Sequence, residues 1–200
     1  MKTTVLHTQR LLLRPFTPED AGAVYRLLKE EETTRFLPMF ALQNVEQAQA
    51  WIEAHVRGPG MCFAVCADGA PAGYVTLSPG PAWDLGYALA PKLRGRGFAT
   101  EAAGAVAEEA RRQGVPYLTA THDVNNLPSG AVMRRIGMMY RYSYIEQWQP
   151  KNVPVTFRMY QLNFALPSDW TYSGYWKQHP CHFLEPVDGF FENGTGVPDQ

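Results

Sequence analysis

The chain has 200 residues, of which 46% are hydrophobic and 18% charged, and its formal net charge is −1. This composition fits one well-buried globular domain, and it excludes a disordered chain. The near-neutral charge offers no electrostatic reason to bind nucleic acid or an anionic membrane. With no basic-then-apolar leader and no apolar run of ~20 residues, we expect a cytoplasmic protein. Three cysteines without metal-type spacing argue against a disulfide framework and a zinc site.

The spacing of apolar residues predicts strands and helices in an α+β order. A parallel crossover is expected around the helix that begins at Gly97, and the Asp68-Gly69 pair is typical of a hairpin turn. In chain order the predicted elements are strand 11–14, helix 18–28, helix 45–56, strands 61–67, 72–77 and 83–90, helix 97–113, strand 117–122, helix 128–136, and strands 138–148 and 153–163.

The C-terminal stretch differs from the rest of the chain. Residues 164–200 are rich in Trp, Tyr, Phe, Pro and Gly, without helical or alternating periodicity. We therefore divide the chain into a domain over residues 1–163 and an extension over residues 164–200. The extension either docks its aromatic side chains on the domain or serves as a partner-binding arm.

The most informative segment is Asp84–Ala102, where a strand leads through a Gly/Arg turn straight into a helix. Backbone N–H groups of a helix's first turn have no intrahelical acceptor, and the helix dipole adds positive potential there. Glycines allow close approach of the main chain, and Arg94 and Arg96 add charge, so the turn suits a phosphate group. The alternative is a capped helix with solvated arginines. A nucleotide-triphosphatase loop is excluded because Gly-Lys-Ser/Thr is absent, and a dinucleotide fingerprint would need glycine at Thr100.

Two motifs in this chain resemble those of the GNAT acetyltransferase superfamily. Arg94-x-x-Gly97-x-Ala99 is similar to its pyrophosphate-binding signature, and Asn126-x-x-Ser129 is similar to a later motif that contacts pantetheine. The sequence after Ala99 and the opening stretch 8–15 resemble the branch that contains the ribosomal-protein N-terminal acetyltransferases.

The resemblance implies a fold, a co-substrate and a set of binding residues. The expected fold is a mixed, mostly antiparallel twisted sheet of about seven strands with four helices, in which the fourth and fifth strands splay apart. Acetyl-CoA would lie in the gap with its pantetheine arm paired along the fourth strand, and an N–H near Leu89 would face the thioester oxygen. The implied coenzyme-binding residues are Ala88, Leu89, Ala90, Arg94, Gly95, Arg96, Gly97, Phe98, Ala99, Thr100, Asn126 and Ser129.

The implied reaction is N-acetylation by direct attack of a primary amine in a ternary complex. Three residues are candidates for the base that accepts the amine proton: Glu146 first, then Asp84, then His122. Each has an alternative role, as a solvent-facing residue, an arginine partner or a hydrogen-bonded strand-end residue, respectively. Many family members carry a tyrosine acid where this chain has Met133. Ser129 stands where the ribosomal-protein branch has a serine proposed to protonate the thiolate, so the resemblance implies that role for Ser129, with helix capping as the alternative.

The acceptor is left open between a protein N-terminus and a small-molecule amine. Tyr140, Tyr142 and Tyr144 alternate along one strand and are expected to share a face, either as packing residues or as a wall of the acceptor pocket. A non-catalytic acyl-CoA-binding or sensing module is the alternative function. We expect no metal, no nucleic acid and no membrane partner, and a homodimer through the sheet edge is a further hypothesis.

Overall fold

The computed structural model describes residues 4–187 of the chain. The strands are β1 (Leu6–His7), β2 (Leu12–Pro15), β3 (Met61–Ala67), β4 (Ala70–Ser78), β5 (Asp84–Leu89), β6 (Tyr117–Asp123), β7 (Met139–Trp148), β8 (Val153–Asn163) and β9 (His182–Phe183). The helices are α1 (Ala21–Leu28), α2 (Glu31–Thr34), α3 (Val45–Arg57), α4 (Phe98–Arg112), α5 (Leu127–Arg135) and α6 (Gly174–Gln178), with short 3-10 turns at Pro18–Asp20 and Pro91–Leu93.

All nine strands of the described residues belong to one sheet, in the order β1-β2-β3-β4-β5-β6-β8-β7-β9. Neighbouring strands are antiparallel, except for the parallel pair β5 and β6. The α+β class and the predicted strands are confirmed. The predicted counts were too low, because β1, β9, α2 and α6 are too short to show a periodic pattern in the sequence.

The hairpin between β3 and β4 turns on two residues, as the sequence predicts. Asp68 and Gly69 have φ angles of 53° and 80°. Positive φ at both central positions matches the right-handed twist of the flanking strands, and aspartate and glycine tolerate it well. The tight turn fixes the register of the strands that lead toward the centre of the sheet.

The sheet opens between β5 and β6. Among the described residues, these strands pair only through Asp84 and Thr119, and the Thr119 amide donates to the carbonyl of Trp83 at 3.1 Å. Beyond that point the two parallel strands diverge, while β5 stays paired to β4 along its whole length. The predicted splayed strand pair is therefore present, with Asp84 at the apex of the V.

Each face of the sheet is covered by a different set of elements. One buried cluster joins α4 and α5 to strand residues that include Leu89. On the opposite face, α1 and α3 cover Tyr74 and Ala88. Because strand side chains alternate, Asp84 shares the face of Ala88, whereas Tyr87 shares the face of Leu89. We call these the α1/α3 face and the α4/α5 face.

The segment 164–187 wraps around the outer edge of β7. Its helix α6 packs over Tyr142 and Tyr144 on the α1/α3 face, and β9 then pairs with the edge of β7. On the other face, Glu185 pairs with Arg158 at 2.6 Å and accepts a hydrogen bond from Ser143. Of the two alternatives for the extension, these contacts match docking. Residues 1–3 and 188–200, which belong to the two predicted units, lie outside the described part of the chain.

The three alternating tyrosines of β7 do not share one face, so that prediction was wrong. The register shifts between Tyr140, which pairs with Tyr160, and Tyr142, which pairs with Met159. This bulge adds one residue to β7 and reverses the alternation. Tyr140 therefore packs toward α4 and α5, whereas Tyr142 and Tyr144 pack under the C-terminal segment.

Candidate active site

A cleft of about 1450 Å³ occupies the opening between β5 and β6. Its walls include the starts of α4 and α5, the loop after α2 and the outer half of β7. The four candidate catalytic residues all border it, and so does every predicted coenzyme-binding residue except Ala90 and Arg96. Residues far apart in the sequence thus meet in one continuous space.

The N-terminus of α4 faces this cleft through two left-handed glycines. Gly95 has φ 71°, and Gly97, which precedes the helix, has φ 80° and ψ 0°. The Glu101 amide donates to the Gly97 carbonyl at 3.0 Å, which is the first hydrogen bond of the helix. The N–H groups of the residues before Glu101 in this turn therefore have no acceptor within the helix. Such a turn presents N–H groups and the positive end of the dipole to an anion.

Arg94 braces this turn against the loop side of the cleft. Its Nε donates to the Leu89 carbonyl at 3.1 Å, and its guanidinium pairs with Glu32 of α2 at 2.5 Å and donates to the Thr33 hydroxyl at 3.0 Å. The side chain therefore lies beside the glycine turn and ties α2 to it.

Arg10 is a second brace, which the sequence analysis did not identify. It donates to the Arg96 carbonyl at 2.9 Å and pairs with Glu101 of α4 at 2.7 Å. The guanidinium groups of Arg10 and Arg96 lie over the Phe98 ring, at 4.2 Å and 5.0 Å from its centroid. This stacking explains why the Arg96 side chain lies outside the wall of the cleft.

The backbone of β5 points alternate amides into the cleft. The Ala90 amide donates to the Ala72 carbonyl of β4 at 2.8 Å, which places Ala90 outside the wall and fixes the alternation of the ladder. In an antiparallel ladder, the neighbouring positions point their N–H and C=O groups the other way. The amides of Tyr87 and Leu89, beyond the pairing of Asp84 with Thr119, therefore point toward β6 and into the V.

Tyr87 connects β5 to the start of α5 across the V. Its hydroxyl donates to the Ser129 carbonyl at 2.8 Å and lies 3.1 Å from the Ser129 Oγ. Burial raises the pKa of Tyr87 well above its ordinary value, so the hydroxyl keeps its proton. Met133 is buried one turn further along α5, at 1% exposure. The sequence analysis missed Tyr87 as a functional residue, although its alternation with Leu89 places it on the α4/α5 face.

His122 is packed under α5 on the same α4/α5 face. Its Nδ1 lies 2.8 Å from the Asp123 carbonyl, and a Cβ added to Gly130 would lie 2.6 Å from its Nε2. Within residues 4–187, the buried Nε2 has no hydrogen-bond partner. Burial lowers the pKa of His122, so the ring is held neutral.

Asp84 lies at the apex of the V on the α1/α3 face. Its Oδ1 is buried and has no hydrogen-bond partner among the described residues. Burial raises the pKa of the carboxyl to about 6. A carboxylate of this kind can accept a proton near neutral pH.

Glu146 lies on the outer half of β7, also on the α1/α3 face. Its Oε2 is 3.7 Å from Nε2 of His179, which belongs to the C-terminal segment. Tyr175 of α6 borders the cleft beside it, and its ring stacks on Tyr144 with centroids 5.3 Å apart. The sequence analysis missed Tyr175, because no periodicity in residues 164–187 links it to the sheet.

Neither a membrane span nor a metal cluster is found in the described part of the chain. Within residues 4–187, each helix is too short or too polar to span a bilayer. Across the same residues, no group of three or more His, Cys, Asp or Glu side chains is placed to hold a metal ion.

A family model matches more than half of the chain. It is described as the acetyltransferase (GNAT) domain, and it matches residues 10–139. The chain is also similar to YnaD of Bacillus subtilis (strain 168), named as an uncharacterized N-acetyltransferase, with 27% identity over 151 residues. That match covers 72% of this chain and 87% of the relative.

Solved structures show the same fold. An acetyltransferase of the GNAT family from Bacillus anthracis matches with a TM-score of 0.74 and 20% identity, over 82% of this chain and 100% of the other. The ribosomal L7/L12 alpha-N-protein acetyltransferase RimL, solved in complex with coenzyme A, matches with a TM-score of 0.73 and 17% identity, over 81% and 99%. Both likenesses agree with the fold that the sequence motifs predict.

Proposed function

Since the chain belongs to the GNAT acetyltransferase family, we propose that it transfers the acetyl group of acetyl-CoA to a primary amine by direct attack in a ternary complex. The observation that carries this proposal is the single cleft that joins the α4 N-terminus to the carboxyl group of Asp84 through the split in the sheet. One end of the cleft suits a pyrophosphate, and the other suits an amine.

The coenzyme would be held mainly by backbone groups. The amides at the start of α4, around Gly97, would bind the pyrophosphate, with Arg94 and Arg10 bracing the turn through their contacts with the Leu89 and Arg96 carbonyls. The outward amides of Tyr87 and Leu89 would pair with the pantetheine arm and the thioester oxygen. The start of α5, from Asn126 to Ser129, would border the same arm.

The chain supplies a proton acceptor on one face of the sheet and proton donors on the other. As the amine nitrogen forms its bond to the acetyl carbon and the carbon–sulfur bond breaks, one proton must leave the nitrogen and one must reach the thiolate. We assign the first to Asp84, directly or through water, because its Oδ1 lacks a partner among the described residues. We assign the protonation of the thiolate to the hydroxyls of Tyr87 and Ser129, which are in contact. This pair would take the role of the tyrosine acid that Met133 replaces in this chain.

Calorimetry and thiol release test this proposal together. Purified protein is titrated with acetyl-CoA, and free thiol is then measured with a panel of small amines, polyamines and peptides with free N-termini. We expect saturable binding and amine-dependent release of thiol. Absence of both would overturn the proposed function. Binding without turnover on any amine would instead support a non-catalytic acyl-CoA-binding module, which the buried Met133 favours.

A further inference from the structure

The C-terminal segment contributes the side chain of Tyr175 to the lining of the cleft. Tyr175 borders the cleft, and its ring stacks on Tyr144 at 5.3 Å with an interplanar angle of 13°. His179 stacks on the same Tyr144 ring at 4.5 Å and 17°. Tyr144 is itself nearly fully buried, at 3% exposure. The segment thus forms a flat aromatic wall on the α1/α3 face.

A second wall closes the same compartment from the other side. The loop after α2 borders the cleft with Phe36 and Leu37. Lys151, in the turn between β7 and β8, donates from Nζ to the carbonyls of Thr34 and Arg35, at 2.6 Å and 2.8 Å. This contact joins the loop to the tip of the β7–β8 hairpin.

Two carboxylates and two cations lie at this end of the cleft. Asp84 lies at its floor and Glu146 at its side, 3.7 Å from His179. The ammonium of Lys151 is engaged by backbone carbonyls, and the guanidinium of Arg35 lies 5.1 Å from the centroid of a phenylalanine ring at the rim. Carboxylates beside aromatic faces attract an organic cation, because the ring quadrupole and the carboxylate both favour positive charge.

We infer that the acceptor is a primary amine that carries a flat apolar group, that Tyr175 determines this specificity, and that His179 contributes by positioning Glu146. The inference rests on the proposed function and adds the substrate class to it. The apolar group stacks against Tyr175, and the amine reaches toward Asp84. Glu146 attracts the ammonium, and His179 positions the Glu146 carboxylate.

Steady-state kinetics with three acceptors test the inference: 2-phenylethylamine, propylamine and a peptide with a free N-terminal serine. For the wild-type chain we expect the highest kcat/KM with 2-phenylethylamine. The variant Tyr175→Ala should raise the KM for 2-phenylethylamine about 10-fold, because a stacked aromatic contact is lost, and this factor corresponds to about 1.4 kcal/mol. The KM for acetyl-CoA and for propylamine should stay within about twofold.

Trp170→Ala is the matched control, because Trp170 belongs to the same segment but packs at a tilt against Tyr117, outside the cleft wall. It should leave the KM for 2-phenylethylamine unchanged. Tyr175→Leu keeps bulk at the position but loses the ring, so it should raise the same KM even if Tyr175→Ala does not fold. His179→Ala should raise the amine KM with kcat unchanged, and His179→Gln, which keeps a hydrogen-bond donor, should restore it.

The outcomes separate this inference from the proposed function. A higher kcat/KM for the peptide than for 2-phenylethylamine would overturn the inference while supporting N-acetyl transfer. Equal KM values for the wild-type chain and both Tyr175 variants would overturn the role of Tyr175. Absence of acetyl-CoA binding and of thiol release with every acceptor would overturn both proposals.

Discussion

The two sides of the cleft are built by different means. The end of the cleft proposed to bind the coenzyme, which we call the coenzyme side, comes from one continuous stretch of sequence. There a strand, a turn and a helix follow one another and bring Gly97 and its neighbouring amides to the opening. The acceptor side is assembled from distant segments, with Asp84, Glu146 and Tyr175 drawn from three parts of the chain. Backbone geometry dominates the first side, and side-chain chemistry dominates the second. Substitution of a glycine should therefore mainly weaken coenzyme binding. Removal of a charged group or an aromatic ring on the acceptor side should mainly change the kinetics with the amine.

The largest expected effect is on coenzyme binding. Gly97→Asp forces a side chain onto a residue with φ 80° and places a carboxylate where the pyrophosphate is proposed to bind. Strain and charge repulsion together should weaken acetyl-CoA binding by on the order of 100-fold, as measured by calorimetry. Gly114→Asp is the control, because Gly114 has φ 81° at the other end of α4. Equal affinity of the two variants would contradict the assignment of the pyrophosphate site.

The next effect is on the chemical step. Asp84→Asn should lower kcat by about 100-fold or more, within the range for loss of a general base, while acetyl-CoA affinity stays unchanged. In the wild-type chain, activity should fall as pH drops below about 6, where Asp84 gains a proton. Retention of wild-type kcat by the variant would remove Asp84 from the mechanism.

The same variant should be more stable than the wild-type chain above pH ~6. The pKa of Asp84 rises from 3.8 unfolded to about 6 folded, so ionisation of this buried group opposes folding. The penalty is absent below pH ~4, grows between pH ~4 and ~6, and then levels off at about 3 kcal/mol or less. Thermal melts at pH ~8 and pH ~4 should show a higher melting temperature for Asp84→Asn at the upper pH and a smaller difference at the lower. A difference that does not change with pH would argue against the raised pKa.

A smaller effect is expected from the contact across the V. Tyr87→Phe and Ser129→Ala should each lower kcat about 10-fold, because each removes part of one proton path to the thiolate. If the two act as a unit, the double variant should lose little more than the worse single variant. Tyr74→Phe, on the neighbouring strand and beside Trp51 of α3, is the control and should keep wild-type kcat. Fully additive losses would separate the roles of Tyr87 and Ser129.

The smallest effect is expected at the anchor of the C-terminal segment. Glu185→Gln breaks the pair with Arg158 and should weaken docking by about 1–3 kcal/mol, which limited proteolysis of the segment would report. Although burial opposes the shift, contacts with Arg158 and Ser143 lower the pKa of Glu185, so its contribution is present above pH ~4.5 and is lost at more acid pH. Glu108→Gln, in an exposed pair with Arg111, should change little. Equal proteolysis of both variants at neutral pH would show that Glu185 does not anchor the segment.

The sequence predicted the strand, the glycine turn and the helix α4 correctly because the signals for this unit are short-range. The spacing from Arg94 to Ala99, and the helix that follows, lie within one supersecondary unit, so the turn could be located without tertiary information. Alternate residues of a strand point their N–H groups to opposite sides. Once the edge of β5 that faces β6 is known, the direction of the Tyr87 and Leu89 amides follows from the sequence.

The acceptor side could not be predicted in the same way. The bulge between Tyr140 and Tyr142 reverses a face by adding one residue, and the sequence of β7 carries no glycine or proline to mark it. Tyr175 stacks on Tyr144, a residue remote in sequence, and no local pattern specifies such a partner. The same holds for Arg10 at the other end of the cleft, where it contacts the start of α4. Base strength is likewise a property of burial, which is why the candidate carboxylates could not be ranked from residue type alone.

The short strand β9 has a consequence for solubility. By pairing with Ser143 and Tyr144, it covers part of the outermost long strand of the sheet. A chain cut after Asn163 would leave those backbone groups unpaired and would uncover the rings of Tyr142 and Tyr144 beside them. An uncovered strand edge flanked by aromatic rings can pair with the same edge of another copy of the chain. By covering this edge, the C-terminal segment reduces aggregation through β7.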